Sequence, residues 1–469
     1  MMKISIIGAG SIVFSKTIML DILASGLESI NFCLMDLSEE RLTYVKRFAD
    51  RVIKGNGLSA EVVTTTDRRE AVRDADYVIS TFQIGGLKTI IQDYEIPMKY
   101  GVDQCIGDTL SPGGIFRALR SIPVTLDLAS DIDELSPKAL LLNYVNPMSM
   151  VCYALGKTAV NFVGLCHGVQ VSLDLIASYC DVPKHEINFL NAGINHMGWF
   201  LKLEHNGKNL YPLLRERFEK PEYYANEKVR GEVFRQFGYF MTESTGHLSE
   251  YLPYFRKNKK ALDLYCNEPA FGGESGAHVK WSKTVAKNIA KGDILKDEPS
   301  TLPERSVEYG SYVIEAIETN HPFHFQGNVI NNGMITNLPY DSCVEIPVFA
   351  DANGLQKVFV GNLPTQCAAL NMTNINVHRL TVEASLSGDT EGIVHACALD
   401  PLTSAVLTLK EIREMASEML ESQKQWLPQF TGKTITPKPT ISIPENLTRA
   451  EVPVDPALAI AHQFSKLVK

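Results

Sequence analysis

Residues 3–7, KISII, form a short β-rich run that passes straight into Gly8-Ala-Gly10-Ser11 and then into a helical stretch through about Gly26. No other feature constrains the fold as strongly. Between a strand and a helix, a glycine turn is where a pyrophosphate cradle belongs: glycine lets the backbone turn tightly against phosphates, and the helix N-terminus supplies N–H donors. A second strand, residues 30–35, ends at Asp36, 28 residues after Gly8. An acid there hydrogen-bonds an adenosine ribose and repels a 2′-phosphate, which favours NAD over NADP. The third glycine of the full fingerprint is absent, with Val13 in its place. The bland alternative is an ordinary strand–turn–helix with an incidental aspartate. Together with Asp36, the glycines make Gly8, Gly10, Ser11 and Asp36 candidate NAD contacts.

Further strands are expected at 61–65, 76–82, 139–143 and 161–165, separated by helical segments, as βαβ units and a mostly parallel sheet require. Ligands of such sheets bind at the carboxyl ends of strands. Gln83, in Phe82-Gln-Ile-Gly-Gly86, and Asn146, before Pro147, follow two of them. Asn146 resembles the asparagine near the nicotinamide ribose in lactate and malate dehydrogenases; its plainer reading is a turn before a helix. Near residue 186 the pattern changes to antiparallel strands, 187–194 and 198–205, around Gly193 and the hairpin dipeptide Asn206-Gly207. Five prolines fall between Pro437 and Pro456.

The expected architecture is therefore α/β: an N-terminal Rossmann-like doubly wound parallel sheet over 1–185, an α+β C-terminal domain over 186–430, and a proline-rich arm over 431–469 ending in an amphipathic segment, 456–468. The whole is lactate/malate dehydrogenase-like. The middle part is assigned substrate, metal and oligomerisation.

Nine cysteines, irregularly spaced and without a CxxC pair, are neither a disulfide framework nor a zinc ribbon. They fit buried thiols of a reducing, cytoplasmic compartment. No segment of 18 uninterrupted apolar residues occurs, so no membrane span is expected. A formal net charge of −9 argues against nucleic acid as a partner.

Cys166-His167-Gly168-Val169 ends the sixth strand, and Asn195-His196-Met197 lies downstream. Thiolate and imidazole both suit a divalent first-row metal, although a cysteine at a strand end is more commonly core. These residues belong to a wider set: Gly8-x-Gly10-Ser11, Asp108 through Arg120, Asn143-Tyr-Val-Asn-Pro-Met148, Cys166–Val169 and Gly193–Met197, continued by Thr242-Glu-Ser-x-x-His247, Glu250-Tyr-Leu-Pro253, Asp351-Ala-Asn-Gly354 and Thr373-Asn-Ile-Asn-Val377. In this order, from residue 1 to about 430, the set resembles glycoside hydrolase family 4.

The resemblance implies an enzyme that hydrolyses glycosides with a tightly held NAD and a divalent metal, usually manganese. NAD oxidises the sugar at C3, a base removes the acidified C2 proton, the aglycone leaves C1, water adds and the ketone is reduced again. This departs from two-carboxylate hydrolysis. Carried over by position, Cys166 and His196 are metal ligands and Tyr251 is the base. His167 is the candidate acid and Asp108 its rival. Asn146 and Asn195 are candidate contacts to sugar or nicotinamide, with His247 and Glu243 beside them. Cys166-His-Gly-Val169 is similar to the motif of α-galacturonidases, so an α-galacturonide is the expected substrate, with an α-galactoside or α-glucuronide as alternatives. Gly168 is read as leaving room for a C6 carboxylate, and Arg117 or Arg120 as the cation that meets it. Family members assemble as homodimers or homotetramers, which is the expectation here. A plain NAD-dependent 2-hydroxyacid dehydrogenase and a non-catalytic NAD-binding protein are the readings from other classes. Cys166 and the Gly193–Met197 motif argue against the first, and intact Cys166, His196 and Tyr251 against the second.

Overall fold

Apolar runs bounded by turns set the strands. In the computed structural model, which describes residues 1–11, 14–290, 301–453, 455–465 and 467, they become β1 (Met2–Ile7), β2 (Ile30–Met35), β3 (Ala60–Thr65), β4 (Tyr77–Ser80), β5 (Leu140–Asn143) and β6 (Asn161–Leu165). These pair in parallel in the order β3-β2-β1-β4-β5-β6. Ile4, Ile6, Phe32, Leu34, Val78 and Leu142 are fully buried, as strands covered on both faces require. Val13 lies outside the described residues, as do positions 466 and 468 of the 456–468 segment.

The sheet does not stop at β6. Downstream strands β7 (Ile187–Ile194), β8 (Met197–His205), β9 (Lys208–Asn209), β10 (Phe323–Ile330), β11 (Cys343–Asp351) and β12 (Gly354–Lys357) extend it to twelve strands. β10 pairs antiparallel to β6, β11 to β10, and β7 to β11. One row of paired residues crosses all four: Gly164, Asn328, Glu345, Gly193. Cys166 and His196 follow closely on the two outer members of that row, and the turns that end β6 and β7 bring their side chains together. Asn206-Gly207 turns β8 into β9. Gly193 is a paired strand residue, and the β7–β8 turn is Asn195-His196.

Contacts gather Met1–Thr436 into one compact unit and Pro437–Lys469 into another. In the second, residues 437–453 carry no helix or strand, and a helix runs Pro456–Gln463. Among the described residues no helix is long and apolar enough to cross a membrane.

Candidate active site

At the amino end, Gly8 sits at φ +93°, and a Cβ there would lie 2.7 Å from the Phe82 nitrogen. A Cβ on Gly10 would lie 2.6 Å from the Asp36 carboxylate, whose Oδ2 accepts from the Gly10 N–H at 2.9 Å while Oδ1 accepts from Ser38 N–H at 3.0 Å. Both glycines are thus required by close approach, and Asp36 is fixed at the rim of the turn. Ser11 is half-buried, and Gln83 is exposed.

The second centre forms where β6 ends. Cys166 Sγ stands 3.6 Å from His196 Nε2. His196 is at φ +63°, a left-handed conformation in the tight turn, which aims its ring back under Cys166. On the ring's other side, Nδ1 meets the Tyr251 hydroxyl at 2.9 Å and Thr109 Oγ1 at 3.4 Å; the Tyr251 and Thr109 hydroxyls are themselves hydrogen-bonded. Burial holds His196 down at about 4, so the imidazole is neutral at pH 7. With Nε2 as the lone-pair nitrogen, Nδ1–H donates to Tyr251, the usual arrangement behind a ligating histidine. Burial, reinforced by Glu345 and Glu243, pushes the Cys166 thiol well above its usual value. A cation beside it would reverse that balance.

Glu243 precedes the helix Thr245–Tyr251. Its Oε1 is 3.8 Å from His196 Nε2, and His247 Nδ1–H donates to its Oε2 at 3.0 Å. Burial pushes Glu243 up, but His196 and His247 outweigh it and hold the carboxyl at about 2. His196, Glu243 and His247 bring ligand atoms within 4.8 Å of one another. His247 is nevertheless already engaged on both sides, its Nε2 meeting Asp108 Oδ1 at 3.2 Å. Burial disfavours its charge, yet the carboxylates of Glu243 and Asp108 raise it well above 6.5. It is an imidazolium clamped between two acids, with no lone pair for a metal. The donors that fit a divalent cation are Cys166 Sγ, His196 Nε2 and Glu243 Oε1. The 3.6 Å between sulfur and nitrogen is close to the roughly 3.5 Å edge of a tetrahedron with such ligands.

Cys166, His167, His196, Glu243, His247 and Asn146 all line one cavity of about 340 Å³. Asp108 stands behind His247, and its other oxygen accepts from Arg117 at 3.2 Å. Burial raises Asp108, but His247 and Arg117 hold it well below the usual carboxylate range. An ionised, doubly paired carboxylate is a poor proton donor at neutral pH. His167 is half-exposed; its Nδ1–H donates to Glu308 Oε1 at 2.8 Å, and that hydrogen bond raises its pKa against the opposing effect of burial.

Several expected contacts fall elsewhere. Neither Arg117 nor Arg120 lines the cavity. Arg117 serves Asp108. Arg120 is fully buried and chelates Asp93 at 2.6 and 3.0 Å, with Gln423 as a further partner. It is a tie between helices, because a guanidinium so deep must be paired. Gly168 also reads differently: a Cβ there would lie 3.0 Å from Glu243 Oε1, so the glycine admits that carboxylate rather than a bulky sugar substituent. Tyr251 and Asn195 line a separate, smaller cavity behind His196.

Sequence reasoning missed three groups and gave no role to a fourth, Glu250. Glu308, Arg230 and Glu345 carry no motif, and only the fold brings them in. Glu250 accepts from the Ile106 and Gly107 N–H groups at 2.6 and 2.9 Å and so sets the loop that presents Asp108. Burial pushes Glu345 up to about 7 against hydrogen bonds from Asn328 and Asn195. Arg230 lines the large cavity, with Nε donating to the Glu243 carbonyl at 2.6 Å and facing Glu227 at 3.5 Å.

A mostly parallel sheet with a glycine turn at one strand end and a thiol–imidazole pair at another has the layout of an α/β enzyme. The sequence matches "Family 4 glycosyl hydrolase" over residues 3–182 and "Family 4 glycosyl hydrolase C-terminal domain" over residues 191–403. An alpha-galactosidase of Rhizobium meliloti is 40% identical over 463 residues, covering 96% of this chain and 93% of that one. An alpha-galacturonidase of Lachnoclostridium phytofermentans is 28% identical, covering 91% and 97%. Among solved structures, the 6-phospho-beta-glucosidase of Thermotoga maritima with manganese, NAD+ and glucose-6-phosphate superposes with a TM-score of 0.74 at 24% identity, over 91% of this chain and 99% of that one. The chain belongs to glycosyl hydrolase family 4.

Proposed function

We propose that the protein hydrolyses α-galactosides by oxidation at C3 and elimination across C1–C2. The observation that carries this reading is the Cys166–His196 pair at 3.6 Å, opening on the cavity that also holds His167 with Glu308. NAD, bound along Gly8, Gly10 and Asp36, supplies reversible hydride transfer at C3, without which the C2 proton is far too weakly acidic to remove. A divalent cation held by Cys166, His196 and Glu243 supplies positive charge where the sugar oxygens become negative.

The chain's own groups do the rest. Tyr251 takes the C2 proton; once ionised, its phenolate accepts from both Thr109 and His196 Nδ1. Without a cation, burial and the Glu243 and Asp108 charges push this phenol well above 10, so metal and base are linked. His167, kept protonated by Glu308, delivers a proton to the departing C1 oxygen. Asn146, on the cavity wall, hydrogen-bonds the sugar. Water then adds at C1, its released proton restoring His167, and the proton held by Tyr251 returns to C2.

A neutral C6 group is supported by two observations: the 40% identical alpha-galactosidase, and a cavity whose cations are already paired. Among the described residues, a uronate carboxylate would find no free cation on that cavity wall. The motif Cys166-His-Gly-Val169 favours the second reading, an α-galacturonidase. Nitrophenyl α-galactoside, α-galacturonide and α-glucuronide, assayed with NAD, manganese and a thiol reductant, decide between them. The expected order puts the galactoside first by about tenfold or more, the effect of leaving one charge unpaired; a higher kcat/KM on the galacturonide would reverse the choice of substrate. Full hydrolysis after removal of both NAD and metal would dispose of the mechanism altogether.

A further inference from the structure

Behind His196 lies a cavity of about 10 Å³, walled by Thr109, Ser149, Asn195, Tyr251, Asn374 and His378 among its polar residues. This is about the space of a single water, and a water in such a site takes two to four polar partners. The walls need them. Ser149 Oγ is buried with no hydrogen-bond partner. His378 is 7% exposed, and burial alone pulls its imidazole down to about 3, with neither a charge nor a hydrogen bond to offset it. Asn374, 3% exposed, accepts at Oδ1 from the Thr373 hydroxyl at 3.3 Å, which leaves its amide N–H groups to face the cavity. Buried polar groups are almost always satisfied, and an apolar void would stay dry whereas a polar one fills. Asn374 and His378 are four residues apart on the helix Thr365–Ser387, so they share one face, which meets the first turn of the helix Met148–Leu155 at Ser149.

We propose that His378, with Asn374 and Ser149, holds one fixed water against the hydroxyl of Tyr251 and the amide of Asn195, and that His378 is thereby a positioning residue of the active site. The inference rests on the reading of Tyr251 as the C2 base. The water is a third neighbour for the phenol oxygen, beside Thr109 and His196. A displacement of about 1 Å at a reacting group costs on the order of 100-fold in rate.

The test uses the full chain with NAD and manganese. His378→Leu should lower kcat about ten- to a hundredfold with little change in KM or in manganese affinity, and should enlarge the isotope effect of a C2-deuterated α-galactoside. His378→Gln, which keeps a donor and an acceptor, should restore most of the rate. Ser149→Ala, a smaller change, should act in the same direction but more weakly. A crystal structure of the wild-type holoenzyme should show the water within hydrogen-bonding distance of His378 and Tyr251. A dry cavity, or a His378→Leu enzyme with wild-type kcat and isotope effect, overturns the proposal. Tyr251→Phe reports separately: if it still exchanges the C2 proton with solvent, the base assignment fails, whatever the crystal shows at His378.

Discussion

His196 adopts φ +63° in a two-residue turn, a conformation that a residue with a side chain rarely accepts without a reason. Here the reason is aim: the turn sends Nε2 toward Cys166 and Nδ1 toward Tyr251. His167, its neighbour across the site, depends on Glu308. Replacing His167 by Ala should cost about 10²–10⁴-fold in kcat on substrates with poor leaving groups, the range for a lost general acid. Glu308→Gln makes a subtler prediction. Glu308 raises the His167 pKa, so the acid form persists to higher pH and is lost as pH rises through that raised value. Without the carboxylate the loss begins sooner. The alkaline limb of kcat/KM should move to lower pH while the acid limb stays put, and an unmoved alkaline limb would separate Glu308 from the acid.

At the scale of elements, one buried ion pair ties three helices. Arg120 on Ser111–Leu135 holds Asp93 on Gly86–Lys99 and Gln423 at the end of Leu409–Gln423. Arg120→Met leaves Asp93 buried without its charge partner and should cost about 3–5 kcal/mol. A Tm within a degree of wild type would contradict this, and adding Asp93→Leu should recover part of the loss. This pair also shows what the sequence could convey. Strands β1 to β8 were legible to within a residue or two, because apolar runs and glycine turns are local signals. The side-chain chemistry of Cys166 and His196 was legible through motifs. What Arg120 touches was not: a basic residue inside a motif reads as a ligand contact, while its partner lies 27 residues away on another helix. Glu308, 141 residues from His167, and His378, on a helix buried around most of its circumference, left no local trace either. The attachment of β10 and β11 between β6 and β7 was equally hidden, since long-range pairing has no signature in a single chain.

Over the whole molecule, the two halves of the sheet meet through that inserted pair. The joins are narrow, with two residue pairs between β6 and β10 and one between β11 and β7. Cys166 belongs to one side of this seam and His196 to the other. A cation coordinated by both, as proposed, would therefore do more than chemistry: it would cross-link the termini of two strands joined through few residue pairs. Ligands that bind only the folded state stabilise it by about 4 kcal/mol at a thousandfold excess over Kd. Here that energy falls on the weakest boundary of the sheet. Calorimetry should show two overlapping transitions after chelation, and a single sharper one at higher temperature with manganese. Equal sharpness in both conditions would mean that the seam needs no help. On the proposed reading, then, the ion that would prepare the sugar for elimination would also govern the cooperativity with which the chain unfolds.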